Sequence, residues 1–320
     1  MIALATSDGF KACRRSGDGW ELSHEALSDE HATCVSARGK LILVGTHDGV
    51  RRSEDGGRTW EEPAEGPDIT HMRWLLCHPE ADGLAVAGTE PANIYRTEDA
   101  GRTWTGSPEV VKLRDRGGWY LPYSPEAGCV RGFAAHGSRI YAAVEQGGML
   151  RSDDKGTSWR LVEGSSGDTD SEPPPMIHPD VHSVVVHPDS ADLVFAPTGG
   201  GFYRSADGGA TWDLLYRCYV RAVWVDPEDP DYMVLGPADG VQSNGRIEVT
   251  VDGGRTWQRG SDGLDTPWPG NMVDRFARVN DRLLAILADG TVLEADPHEL
   301  NWQRILPRES SVEAITWMPE

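Results

Sequence analysis

This sequence predicts an all-β fold, a seven-bladed β-propeller of four-stranded blades, on three observations. One eight-residue turn recurs along the chain, its copies are one blade apart, and the chain ends on a strand of the kind its first repeat lacks. The clearest copy is Ser205-Ala-Asp-Gly-Gly-Ala-Thr-Trp212. It returns as Ser53-Glu-Asp-Gly-Gly-Arg-Thr-Trp60, Thr97-Glu-Asp-Ala-Gly-Arg-Thr-Trp104, Ser152-Asp-Asp-Lys-Gly-Thr-Ser-Trp159 and Thr250-Val-Asp-Gly-Gly-Arg-Thr-Trp257. Worn copies stand at both ends, Ser16-Gly-Asp-Gly-Trp20 and Glu294-Ala-Asp-Pro-His-Glu-Leu-Asn-Trp302. The tryptophans at 20, 60, 104, 159, 212, 257 and 302 are separated by 40, 44, 55, 53, 45 and 45 residues. That is the period of a propeller blade rather than of a helical solenoid.

Each residue type in the turn has a physical reason. The Asp carboxylate accepts hydrogen bonds from the amides just ahead of it, the Gly supplies a positive φ, and Thr-Trp resumes an extended strand. The Trp is a large apolar plug for its blade. The pattern S/T-x-D-x-G-x-T/S-W resembles the Asp-box, or bacterial neuraminidase repeat, of sialidase-like propellers, sortilin-type receptors and photosystem assembly factors. The resemblance runs over essentially the whole chain and implies one propeller domain, residues 1–320. It also implies that the box turns, near 16–20, 53–60, 97–104, 152–159, 205–212, 250–257 and 294–302, are structural and lie opposite the working face.

Taken in order, each repeat divides into four strand-like pieces, A to D. Blade 5 displays them as Val181-His-Ser-Val-Val-Val-His-Pro188, Leu193-Val-Phe-Ala196, Gly201-Phe-Tyr-Arg204 and Thr211-Trp-Asp-Leu-Leu215. Strand A recurs as Ala32-Thr-Cys-Val-Ser-Ala37, Met72-Arg-Trp-Leu-Leu-Cys77, Val130-Arg-Gly-Phe-Ala-Ala135, Val220-Arg-Ala-Val-Trp-Val225 and Val273-Asp-Arg-Phe-Ala-Arg278. The chain begins on a B-like strand, Ile2-Ala-Leu-Ala5, and ends on an A-like one, Val312-Glu-Ala-Ile-Thr-Trp317. Pairing these two strands would close the ring and remove two open sheet edges.

Composition fits a turn-rich β protein, with 37 Gly, 21 Pro and 12 Trp. No apolar run approaches the roughly 18 residues of a membrane span, so no membrane partner is expected. The opening Met1-Ile-Ala-Leu-Ala-Thr-Ser-Asp-Gly-Phe10 has neither a basic leader nor a long apolar core, so a cytoplasmic location is expected. The five cysteines are scattered without a C-x-x-C spacing and predict no disulfide framework. A net charge of −21 argues against a nucleic-acid partner. A monomer is expected.

Function is sought where the loops entering strand A converge on the central funnel. Two of these connections are long, 26 residues from Trp104 to Val130 and 22 from Trp159 to Val181, and they flank blade 4. The first carries Trp119, Tyr120 and Tyr123 among arginines, a composition for stacking on sugar rings and gripping anions, or else a Pro-stiffened lid. Aligning the seven A strands at their second position gives Glu313, Thr33, Arg73, Arg131, His182, Arg221 and Asp274 from blade 1 to blade 7. Arg73, Arg131 and Arg221 form a candidate clamp for a carboxylate or phosphate; the alternative is that they pair with Asp274 and Glu313.

A second constellation is His178-Pro-Asp-Val-His182. In extended chain His178, Asp180 and His182 point to one side in steps of about 6.6 Å, a spacing from which a divalent metal can be chelated, with Glu145 as a further oxygen ligand or general base. The plain alternative is imidazoles bonded to loop carbonyls. No cofactor is required by the sequence. Sialidases resemble this chain in box and ring, but the Arg-Ile-Pro signature and an assignable Tyr/Glu nucleophile pair are absent, so sialidase activity is not expected. Two readings stay open. One is a binding or assembly propeller for a small molecule, glycan or acidic peptide, its anionic ligand held over blades 3–5. The other is a glycoside hydrolase or lyase, metal-assisted or not, using Glu145, Asp180 and His182.

Overall fold

The computed structural model describes residues 1–17, 19–124, 127–166, 176–306 and 311–318. Asp18 of the first worn turn, Pro125, and residues 172–175 of the second insertion lie outside this set. Seven antiparallel sheets follow one another around a ring, six of them four-stranded. Blade 2 has three strands, Ala32–Arg38, Leu41–Thr46 and Gly49–Ser53, and its fourth is reduced to the single bridge between Arg52 and Glu61. No helix among the described residues is long and apolar enough to cross a membrane.

The ring closes at the chain termini. Val312–Trp317 lies antiparallel on Ile2–Thr6, with Leu4 opposite Ile315, as the edge strand that completes the four-stranded blade 1. The Met1 amino group donates to the Met318 carbonyl at 3.1 Å, and Met318 N donates back to Met1 O at 3.0 Å. A second clasp, at the same end of blade 1, ties the first repeat to the last. Glu294 stands where intact turns carry Ser or Thr, and its buried carboxylate takes both a 2.6 Å contact from Arg15 and a 3.0 Å bond from the Trp20 indole. The two worn turns therefore complement each other across the first and last repeats.

The five intact turns share one hydrogen-bond pattern. In the fifth repeat, the Ser205 hydroxyl donates to Asp207 at 2.8 Å and accepts from Gly209 N at 2.8 Å. Asp207 then accepts from the amide and hydroxyl of Thr211 at 2.9 and 2.7 Å. Asp55, Asp99, Asp154 and Asp252 do the same with the Thr or Ser four residues on. The Thr256 hydroxyl and amide, with Thr250, hold the Asp252 carboxyl down at about 2. Gly57, at φ +87°, shows why the turn needs glycine: a Cβ there would come within 2.5 Å of the Phe10 ring. Trp104, Trp159, Trp212 and Trp302 are buried in the core clusters of their blades.

All five cysteines are free thiols, four of them buried. One expectation needs correction. Strand A of blade 5 is only Val185–Val186, preceded by a bridge from Val181 to Thr198, because the Pro179 segment and the stitching side chains that follow it replace regular ladder bonds. The first long insertion holds an α-helix, Pro108–Gly117. Its Ser107 cap accepts from Val110 N, Pro108 and Glu109 occupy its first turn, and Gly118 ends it at φ 59°.

Candidate functional site

The seven second-position residues of the A strands share one structural cause. In every blade strand A carries one more residue than strand B at this point. Ala32 pairs Thr46 while Cys34 pairs Gly45, leaving Thr33 out; the same shift leaves out Arg73, Arg131, Asp274 and Glu313. In blade 6 the irregularity spans Arg221 and Ala222, and in blade 5 it covers 182–184. A β-bulge of this kind frees a residue from the ladder and re-aims its side chain. Six of the seven line one cavity of about 590 Å³; His182 does not.

The cavity is a cup. Its wall carries the guanidinium groups of Arg73, Arg131, Arg221 and Arg275, against the carboxylates of Asp274 and Glu313. At the bottom Arg275 stacks over Trp74 from across the ring, 4.1 Å from the ring centre. Below this pair lies a separate cavity of about 170 Å³, which shares Arg275 and Ile286 with the upper one. The Arg275–Trp74 pair thus divides the central channel.

The arginines are partly committed. Arg221 donates to Asp274 at 2.8 Å, with Arg275 and Arg131 at 3.6 and 3.8 Å from the same carboxylate. Burial pushes the Asp274 carboxyl up, but Arg131, Arg221 and Arg275 outweigh it and hold it far below the usual range. Arg131 also reaches Glu145 at 3.1 Å, and Arg73 lies 3.5 Å from Glu90. The Nε of Arg275 is buried without a hydrogen-bond partner, and burial lowers the pKa of its guanidinium.

Beside the cup, at the seam of blades 4 and 5, Glu145, Asp180 and His182 converge with their donor atoms all within 4.8 Å of one another. Glu145 is the last residue of Arg139–Glu145 rather than part of a loop, since it still pairs with Cys129. Asp180 is brought to it because Gly148 N donates to Pro179 O and Val181 N to Val144 O. His182 Nδ1 lies 2.7 Å from the Val220 carbonyl and its Nε2 3.2 Å from Asp180. Burial pushes the Asp180 carboxyl up, and His182 turns the balance, leaving it below its ordinary value. His178 is not a member: its Nδ1 accepts from Asp180 N at 3.2 Å and its ring packs on Gly200.

The aromatic residues of the first insertion separate. Trp119 is 3 % exposed and sits in the blade 4 core with Val110 and Val144, so it is a packing residue and not the ligand contact expected from sequence. The helix above it is what makes an aromatic in a long loop buried. Tyr120 is 55 % exposed and does not line the cup. Tyr123 does line it, and its hydroxyl donates to Glu145 at 2.7 Å.

Sequence reasoning missed a row of histidines on the rim over blades 2 and 3. His31 stacks on His47 at 4.6 Å, His47 meets His71 edge-on at 4.6 Å, and His31 lies 3.7 Å from Glu313. Burial, then Arg73 and the other imidazoles, pushes His71 down to about 4; burial also lowers His47. The available signal was their shared place, in connections entering strand A or joining B to C.

No family model matches the chain. A xyloglucanase of Hypocrea jecorina is 23% identical over 189 residues, covering 53% of this chain and 21% of that protein. The photosystem II assembly protein Ycf48 of Synechococcus sp. (strain JA-3-3Ab) is 25% identical over 165 residues, 43% of this chain and 48% of its own length. The chain therefore matches less than half of either relative. Among solved structures, Ycf48 bound to D1 peptide superposes with a TM-score of 0.59 at 20% identity, covering 88% of this chain and 84% of that one. An ancestral GH74 enzyme gives 0.62 at 15% identity over 92% of this chain and 37% of that one. These similarities establish the seven-bladed propeller fold, shared with both assembly factors and glycoside hydrolases.

Proposed function

We propose that this chain is a binding or assembly propeller that holds the anionic group of a small acid, an acidic glycan or an acidic peptide in its central cup and breaks no bond. One observation carries the reading: in a protein of net charge −21, the cup wall sets four guanidinium groups against two carboxylates. Guanidinium groups offer paired donors to planar anions, and Arg73, Arg131 and Arg221 all line the cup. A peptide-bound structure of a propeller with this fold supports a peptide as one form of that ligand.

Hydrolysis is the second reading, favoured by the partial match to a xyloglucanase. Retaining and inverting glycosidases place two carboxyl groups on either side of a sugar bond. Here neither Glu145 nor Asp180 lines the cup, and both Glu145 oxygens already accept from Tyr123 and Arg131. The test is a melt of the protein with citrate, an acetylated tri-glutamate peptide and a neutral xyloglucan oligosaccharide, with product analysis of the last. The anions should raise Tm, by the equivalent of about 2.7 kcal/mol at a hundredfold excess over Kd. Cleavage of the oligosaccharide that Asp180→Asn abolishes would replace binding by hydrolysis.

A further inference from the structure

We propose that Glu145, Asp180 and His182 form a binding site for one divalent transition-metal ion, zinc in the first instance, at the seam of blades 4 and 5. The first ground is the geometry of the imidazole. A carbonyl oxygen can only accept, so the 2.7 Å contact with Val220 requires His182 Nδ1 to carry its proton and donate. On a neutral ring Nε2 then presents a lone pair to the Asp180 carboxylate 3.2 Å away. Two acceptors face each other, and the conflict is relieved only by a second proton or by a cation between them.

The second ground is independent of that pair. Asp180 Oδ1 is buried and has no hydrogen-bond partner, so the carboxylate retains an unused lone pair where an unpaired oxygen is costly. Room for that carboxylate is kept by Gly199, where a Cβ would stand 2.2 Å from Asp180 Oδ2. The outer contacts are those a metal site uses. The Nδ1 bond to a backbone carbonyl fixes the tautomer, while Tyr123 and Arg131 orient the Glu145 carboxylate.

One imidazole nitrogen with two carboxylates suits zinc or manganese better than calcium, which takes six to eight oxygens, and affinity at such a site rises toward zinc. The competing state is a closed imidazolium–aspartate pair, and the experiment separates the two. Protein stripped with a chelator is titrated calorimetrically with zinc chloride, alone and as the variants Asp180→Asn and His31→Gln/His47→Gln, each checked for the parental melt. One ion per chain is expected, bound at least tenfold more weakly by Asp180→Asn and unchanged in the histidine-rim variant. In ¹⁵N imidazole spectra of the unmutated protein, a readout that survives misfolding of any variant, zinc should move the His182 Nε2 resonance. Zinc that does not bind, that binds Asp180→Asn equally, or that leaves a doubly protonated His182 untouched overturns the proposal.

Discussion

The two faces of the ring are built from equally regular backbone and use it in opposite ways. On one face, five turns repeat the same atoms, an Asp carboxylate closing on the amide and hydroxyl of the residue four ahead, with donor–acceptor distances of 2.6 to 2.9 Å. On the other, strand A carries one extra residue in every blade, yet the position presents Glu313, Thr33, Arg73, Arg131, His182, Arg221 and Asp274. Where the side chain repeats, it makes structure. Where only the backbone repeats, the side chain is free to make a site. Even within the bulges some positions stitch blades together: the Thr33 hydroxyl donates to Met72 O at 2.6 Å, and His182 bonds Val220 O in the equivalent place two blades from Arg73.

The largest expected effect breaks the ring that both faces share. Removing residues 312–320 strips the inner strand from blade 1 and exposes the edge of Ile2–Thr6 with its buried Val312 and Ala314 partners gone. Calorimetry should show no cooperative transition; a melt matching the full chain would contradict closure by this strand. Within the repeated face, Trp212→Ala should cost about 3–5 kcal/mol, as expected for a fully packed indole, and Asp207→Ala about 0.5–1.5 kcal/mol, since water can take the exposed Thr211 amide and hydroxyl it releases. Urea unfolding measures both. Equal stability of Trp212→Ala and parent would show that the turn tryptophans do not hold the blades.

A smaller effect comes from the histidine rim. Because the folded His71 is held at about 4 whereas an unfolded imidazole titrates near 6.5, the folded chain binds fewer protons between these values. Its contribution is present above pH 6.5 and is lost as pH falls toward 4, by roughly 1–2 kcal/mol once solvent screening of a half-buried group is allowed for. His71→Gln should flatten that part of the stability curve, read by urea midpoints from pH 7 to 4.5. An identical slope in the variant would assign the acid loss elsewhere.

The repeated face was legible in the sequence because a turn made of Asp, Gly and Trp must use those residues each time. The bulged ring was legible for the same reason, since aligning the A strands at Val-Arg and its equivalents marks one position per blade. Arg275 was not, as it stands one place beyond the aligned position and reaches the cup floor through its stacking on Trp74. Trp119 misled because an aromatic in a long Pro- and Arg-rich connection reads as exposed, while the Ser107-Pro108-Glu109 cap that announces the covering helix was overlooked. His178 followed the alternation of an extended chain that the Pro179 segment does not keep, and Glu145 enters the cluster from another blade, a proximity no spacing encodes. The histidine rim likewise assembles from separate connections of neighbouring blades.

The division between the faces is tested most directly by pairing a melt with a citrate titration on Asp207→Ala and Arg221→Ala. Asp274 keeps Arg131 and Arg275 nearby when Arg221 is removed, so the cup variant should melt close to the parent. It should bind citrate at least tenfold more weakly, the loss of about one charge-assisted hydrogen bond. Asp207→Ala should melt lower and bind citrate as the parent does. Citrate affinity that falls with Asp207→Ala, or that Arg221→Ala leaves unchanged, would contradict the assignment of structure to one face and recognition to the other.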